Sequence, residues 1–453
     1  LRLIAATFFI LSLISVPGIA ALTAEQRRVS LASFDQVWTT VRDKHWDTSL
    51  NGVDWAAVRD QLRPMVEKAR SQAEVRAIIS DMLSRLHQSH YAVIPGSVYH
   101  DVESRGADET NLNGDNTSPD GTAGLDVRVI GDEAVVVSVD PDSSARKQGV
   151  APGWIVRRIG DEEMIPVLRR VSSAYKDSTM RDMMLARSVV SRLDGPVSNP
   201  VAVEFQTARD KLVLLTLNRR EFRGISSKFG FLPEEHFWIE TRRVARDVDY
   251  IAFNLFLDPT ELVAKFQESV RNCAGCAGIV IDLRGNPGGI GILAMGLAGY
   301  FIDKPDQKLG TMYMRDLPLK FVVNPRPPVF EGKLAVLIDG LSASTSEIFA
   351  GGMQDLNRAR IFGSRSAGAA LPSMIERLPD GDGFQYAAAS YKSESGKVLE
   401  GVGVTPDEPV ALTRAALLAG HDPVLDAAVH WIEETRIQAK TPPQQSLKGI
   451  QTQ

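Results

Sequence analysis

The sequence predicts a multidomain α/β protein with a helical N-terminal domain, a β-rich middle domain and a core of alternating strands and helices. Three observations lead there. The chain has 453 residues, 44% of them hydrophobic, too many for one ordinary core, so it divides into domains. Its early segments place apolar residues three and four apart, the helical period. From about Val248 onward, strand-like apolar runs alternate with helix-like segments, the pattern of a layered α/β domain.

The first residues, LRLIAATFFILSLISVPGIAALTAEQ, follow the order of a secretory signal over 1–20. Arg2 precedes an apolar run from Leu3 to Val16, then come Pro17 and Gly18, and Gly18-Ile19-Ala20 offers a small-x-small cleavage site. The run is short of the roughly 20 residues that span a membrane, so the expectation is an exported protein with no membrane span after cleavage. Residues 24–100 form the helical domain, through FDQVWTTVRDKHW, VDWAAVRDQLRPMVEKARS and AEVRAIISDMLSRLHQSHYAVIP. The periodicity stops inside LHQSHYAVIP, where an extended run begins.

Residues 101–121 are rich in Asn, Asp, Gly and Ser and read as a linker. Glu109, Asn111, Asn113, Gly114, Asp115 and Asp120 fall loosely on calcium-loop spacing. The leading Glu and the lack of flanking helices favour the plain linker. Residues 122–222 give short alternating strands around the short helix SSARKQG. The core occupies 223–433, in the order DYIAFNLF, PTELVAKFQESVRN, GIVIDLRGNPGG, GILAMGLAGYFI, KLAVLIDG, STSEIFAGGMQDL and RARIFGS. Residues 434–453 are polar, contain Pro442-Pro443 and are expected to be disordered.

A formal net charge of −5 without a basic stripe argues against nucleic acid as a partner. The two cysteines, Cys273 and Cys276, are placed to close a local disulfide in an oxidising compartment. A redox role lacks its sequence context, and further ligands at metal spacing are missing. No metal and no cofactor are expected.

The chemistry concentrates on LSASTSEIFAGGMQD. Ser344 lies between the apolar run KLAVLIDG and a helical segment, and a serine at such a turn presents Oγ beside the unpaired amides of a new helix. The glycines of GIVIDLRGNPGG leave backbone N–H groups accessible, enough for one oxyanion donor.

IDLRGNPGG, LSASTSEIFAGGMQD, RARIFGSRSAG and LEGVGVTPDEPV resemble the tail-specific, C-terminal-processing serine peptidases and the related tricorn-core peptidases. The segment ahead of them is similar to a PDZ domain, with GLDV as the carboxylate-binding loop, Ala145 and Gly149 in the small helix, and the APGW turn. Trp154 departs from the Asp usual there, and the helical stretch from Pro166 to Arg192 is longer than a minimal PDZ carries. The resemblance implies a ClpP/crotonase-like spiral α/β catalytic core, endopeptidase activity on polypeptide substrates, and capture of substrate C-termini at Gly124 and Leu125. It selects Ser344 as nucleophile over Ser342 and Ser346, whose expected role is local hydrogen bonding at the helix entry. It assigns the oxyanion hole to the amides of Gly288 and Thr345.

The serine-lysine branch carries its base where this chain has Ala369, and Lys392 and Lys397 lie outside the motif. LHQSHYAVIP resembles the Ser-His element of the tricorn-like branch. Carried over, His90 is the general base, Ser89 helps orient it, and Glu400 is the acidic member; His87 is the competing base. An imidazole with an unperturbed pKa near 6.5 accepts a hydroxyl proton at neutral pH without deep burial. Asp282 and Arg284 are expected to organise their turn. Two rival readings stay open: a catalytically inactive, PDZ-bearing peptide-binding scaffold, and a carrier of a small apolar ligand such as the family's retinoid-binding branch.

Overall fold

The computed structural model describes residues 22–86, 91–96, 98–99, 121–227, 235–315, 317–370, 373–387 and 389–440. The expected signal segment, most of the linker with its calcium-like spacing, and the residues beyond 440 lie outside the described residues.

Three helices, Ala24–Lys44, Trp55–Lys68 and Gln72–Ser84, open the fold. Thr23, Asp54 and Ser71 cap them by accepting first-turn backbone N–H groups. Phe34, Val37, Leu62, Val66 and Ile79 face inward, and their cluster also takes in Leu378, Phe384 and Tyr386 from far along the chain. The extended run of LHQSHYAVIP becomes the strand Ala92–Ile94, paired antiparallel with Gly383–Ala387. The helical segment is thereby sewn into the C-terminal half, with Arg76 to Asp382 (2.6 Å) as a second stitch.

In the β-rich domain the strands Leu125–Ile130, Glu133–Val139, Ile155–Ile159, Val201–Gln206 and Leu212–Leu217 follow one another antiparallel. Leu125–Ile130 lies at the edge, beside the helix Arg181–Leu193. Gly121–Thr122 pairs with Arg220–Glu221 and closes the domain's two ends on each other.

The core sheet runs Ile239–Ala245, Val248–Phe253, Gly278–Asp282, Lys333–Ile338, Arg360–Gly363 and Glu408–Pro409, antiparallel in its first pair and parallel thereafter. Every residue of Val248–Phe253 and Gly278–Asp282 is buried, as parallel strands covered on both faces must be. The helices Pro259–Asn272 and Thr345–Asp355 supply Phe266 and Phe349 to the cluster on one face. The helix Pro423–Lys440 covers the other with Val424, Ala428 and Ile432. It continues past 434, where disorder was expected; Glu433, Glu434, Gln438, Ala439 and Lys440 are good helix formers. Antiparallel strands at Gln307–Met314, Pro318–Val323, Ser373–Arg377 and Ala389–Ser393 have no counterpart in the sequence reading. Cys273 and Cys276 form a disulfide in the connection that leads into Gly278–Asp282.

Candidate functional site

Three neighbouring parallel strands, Gly278–Asp282, Lys333–Ile338 and Arg360–Gly363, release the chain at their carboxyl ends into turns at 283–289, 339–344 and 364–370. The carboxyl edge of a parallel sheet is where α/β folds place ligands. Here the three turns hydrogen-bond to one another: Ala343 N–H donates to Asn286 O (3.1 Å), Ser344 N–H to Ala369 O (2.9 Å) and Ala367 N–H to Ser342 O (2.9 Å).

Ser344 is the residue before the helix Thr345–Asp355 and has φ 52° and ψ −118°, a conformation costly for any residue with a Cβ. Thr345 N–H belongs to the first helical turn, where no intrahelical acceptor exists. Gly288 presses on this corner: a Cβ there would fall 2.8 Å from Ala343 O, Ser344 Cβ and Thr345 N, and its φ is +103°. Only glycine fits. Gly288→Ala is expected to lower kcat for peptide hydrolysis about 10-fold or more by displacing Ser344, read from initial rates together with a melting curve.

Gly288 has its amide engaged within its own turn. Expected to offer its amide to an oxyanion, it donates that N–H to Asn286 Oδ1 at 2.9 Å, the short Asx-type turn that a Pro-Gly sequence after Asn favours. Thr345 keeps its place beside the corner, its Oγ1 donating to Gly289 O at 2.7 Å.

Ser342 bonds locally, its Oγ accepting from Asp339 N–H at 3.0 Å, but both Ser342 and Ser346 also bond beyond the helix entry. Ser342 Oγ donates to Leu283 O at 2.7 Å, and Ser346 Oγ reaches Asn286 O and Oδ1 at 2.9 and 3.0 Å. Both tie the Ser344 turn to the glycine turn, because the helix starts directly against it. Buried Asn286, which the sequence reading passed over, joins all of this and also donates from Nδ2 to Phe253 O.

Glu347 was passed over too. Fully buried, it accepts from Ser366 Oγ (2.5 Å), Gly368 N–H (2.8 Å), Ala369 N–H (2.8 Å) and Ser344 N–H (3.1 Å). Burial pushes its carboxyl up to about 7, against the pull of those four donors. The spacing Ser344-x-x-Glu347 is that of a capping box and was the signal available in the sequence.

Asp282 and Arg284 form a buried pair (2.6 Å) extended by Asp422 (2.7 Å), with Tyr250 OH donating to Asp282 Oδ2 at 2.8 Å. They brace the turn against the last helix. Ala369 is buried, its carbonyl holding Ser344 N–H. Lys397 pairs with Asp355 at 2.8 Å, at the far end of a helix about 15 Å long, and Lys392 is exposed on Ala389–Ser393.

Glu400 is buried, in a turn held to the third one by Gly401 N–H to Gly368 O at 2.8 Å. Ser89, His90 and His87 lie outside the described residues. Tyr91, next in sequence, donates to Ala387 O at 2.8 Å; burial, then the charge of Glu400, raises its hydroxyl pKa. Tyr91 thus lies within electrostatic reach of Glu400.

At the β-rich edge, Gly124 has φ +73°, and a Cβ on it would sit 2.6 Å from Ser143 Cβ. Leu125 is buried. Both open the strand that borders the helix Arg181–Leu193. Among the described residues, Asp249, Cys273 and Cys276 have metal-ligand reach, but the sulfurs are bonded to each other and Arg243 pairs with Asp249 at 2.6 Å.

The family model described as Peptidase family S41 matches residues 247–410, and that of the Tricorn protease C1 domain matches residues 31–84. The C-terminal processing peptidase, chloroplastic, of Tetradesmus obliquus is 25% identical over 398 residues, covering 86% of this chain and 79% of the relative. Carboxyl-terminal-processing peptidase 2, chloroplastic, of Arabidopsis thaliana is 25% identical over 392 residues, covering 83% and 68%. Among solved structures, mature CPAF complexed with lactacystin superposes with a TM-score of 0.53 at 13% identity, covering 91% of this chain and 98% of that one. That likeness is one of fold.

Proposed function

This chain belongs to peptidase family S41 and is a serine-type peptidase, and from that premise we propose that it cleaves polypeptides, at or near their C-termini, through an acyl-enzyme on Ser344. The observation that carries the reading is the convergence of three strand-end turns on a strained serine at a helix start. Ser344 Oγ attacks the peptide carbonyl, Thr345 N–H faces the developing oxyanion, and His90 takes the hydroxyl proton and returns it to the leaving amine. Glu400, whose charge reaches Tyr91, holds the imidazole in its useful tautomer with the help of Ser89. Gly288 contributes a second oxyanion donor once its amide leaves Asn286 Oδ1.

The β-rich domain is read as a PDZ-type module. A substrate C-terminus adds to the edge strand Leu125–Ile130 alongside the helix Arg181–Leu193, with its carboxylate at Gly124 and Leu125. The N-terminal apolar segment supports export to the periplasm or the cell exterior. Among the described residues, no helix is long and apolar enough to cross a membrane.

The test uses the mature protein, casein and a peptide with a free C-terminus. Hydrolysis and labelling of Ser344 by a fluorophosphonate are expected. kcat/KM should fall on the acid side as the imidazole base takes up its proton. His90→Asn should remove that limb, whereas His87→Asn should leave it in place; the reverse result would move the base to His87. The inactive-scaffold reading has two observations in its favour, Ala369 in place of a lysine and the engaged Gly288 amide. A Ser344 that resists the probe in a protein that still binds C-terminal peptides would establish it instead.

A further inference from the structure

The β-rich domain meets the candidate site from behind. Ala343, Ala367 and Ala369 share one buried cluster with Val127, Met180 and Met184. Two glycines mark where the domains touch: a Cβ on Gly340 would lie 2.8 Å from Asp182 Cβ, and one on Gly368 would lie 2.6 Å from Thr179 Oγ1.

Through this contact Arg128, on the edge strand Leu125–Ile130, donates from Nε to Asp339 Oδ2 at 2.7 Å. The two side chains are only 12% and 17% exposed. The other oxygen, Asp339 Oδ1, accepts the N–H groups of Gly285 at 2.9 Å and Leu341 at 3.0 Å. Gly285 leads into the turn of Asn286 and Gly288; Leu341 leads into the turn of Ser344. One carboxylate therefore staples both turns, and the arginine fixes its rotation. The guanidinium also packs on the glycine turn, since a Cβ on Gly285 would stand 2.5 Å from Arg128 Nη2. A shielded carboxylate deprived of its counter-charge is a poor anchor, and the planar, always-charged guanidinium is the group best suited to hold one in a single orientation.

We propose that Arg128 is a positioning residue of the hydrolytic centre, supplied by the β-rich domain and acting through Asp339 on the turns that carry Gly288 and Ser344. The inference rests on the peptidase reading above and deepens it: the β-rich domain sets the catalytic rate as well as meeting substrate.

The full chain is compared with Arg128→Met, Arg128→Lys, Asp339→Asn, the Arg128→Met/Asp339→Asn double variant, and Arg158→Met as a surface-arginine control. Arg128→Met and Asp339→Asn are each expected to lower kcat on an unstructured peptide about 10- to 100-fold, with KM changed less than about two-fold. The double variant should be no slower than the worse single one, because both act through one contact. Arg128→Lys, which still brings a charge to Asp339, should recover part of the loss, and Arg158→Met should match the parent. Hydrogen exchange at the Gly285 and Leu341 amides should accelerate in Arg128→Met while the strands of the β-rich sheet keep their protection. An unchanged kcat, additive losses, or unchanged exchange at those two amides would overturn the proposal. If Arg128→Met does not fold, Arg128→Lys decides: parental kcat with parental exchange overturns it. A parent that does not hydrolyse peptide would sink the peptidase reading, and the exchange measurement would still decide whether Arg128 holds the two turns.

Discussion

Ser344→Ala should abolish peptide hydrolysis, by at least about a thousandfold in kcat, leaving only what binding and the remaining amide donors contribute. In the proposed mechanism the hydroxyl oxygen is the atom that bonds to the substrate carbonyl, and its near neighbours Ser342 and Ser346 are committed to Leu283 O and Asn286. Neither can substitute. The fold should be indifferent, because alanine keeps the Cβ that Gly288 packs against, so the melting temperature should stay within a degree or two. A sharper companion is Ser344→Gly. At φ 52° and ψ −118° the Cβ is strained, so removing it should stabilise the inactive protein by about 1 kcal/mol or more. Retained casein hydrolysis in Ser344→Ala would show that the nucleophile lies elsewhere.

Glu347→Gln should lower kcat about 100-fold and stability by about 2 to 4 kcal/mol. Its carboxylate accepts from Ser366 Oγ and Gly368 N–H on one oxygen, and from Ala369 and Ser344 N–H on the other. Ser366 can reverse its hydroxyl, but the backbone amides cannot. Either orientation of the glutamine amide points its NH2 at one or more N–H groups, leaving a buried donor unpaired and loosening both Ser344 and the 366–369 turn. The same residue imposes a pH dependence. Its carboxyl is raised to about 7 from an ordinary value of 4.5, so the folded chain holds that proton more tightly than the unfolded chain does. The stability this provides is full below about 4.5 and is lost as pH rises through about 7. Chemical denaturation of parent and variant between pH 4 and 8 checks it; a variant with the parental slope would remove Glu347 as its source.

Much of the fold was legible because local signals and burial agreed. Helical periodicity in FDQVWTTVRDKHW and the uninterrupted apolar run of KLAVLIDG each specify one kind of element, and both formed. The antiparallel strands between 307 and 393 had no counterpart in the sequence reading: two pairs are short hairpins, 307–323 and 373–387, and these are joined to distant partners, Gln307–Met314 to Ala389–Ser393 and Gly383–Ala387 to Ala92–Ile94. The continuation of the last helix past 434 was misjudged from polar composition, although its residues favour helix.

At the site, Ser344, Thr345 and Gly288 could be named from their motifs, since a strand, a glycine turn and a helix start are local events. What each amide does could not. That Ser342 and Ser346 bond across to the glycine turn depends on two segments meeting nearly sixty residues apart, while the Gly288 N–H is taken by Asn286 only two residues away. Asp339 and Arg128 carried no signal, because an aspartate ending a strand and an arginine on an edge strand are ordinary until the domains dock.

By itself, then, the sequence determined the class of element at most positions, through periodicity and turn chemistry that act over a few residues, and its motifs pointed to Ser344 as the proposed nucleophile. The tertiary structure alone decided which carboxylates and amides serve that serine. Hydrogen bonds and ion pairs reach only about 3 Å, and only the packed sheet and the docked β-rich domain bring Glu347, Asn286, Asp339 and Arg128 within that distance of their partners.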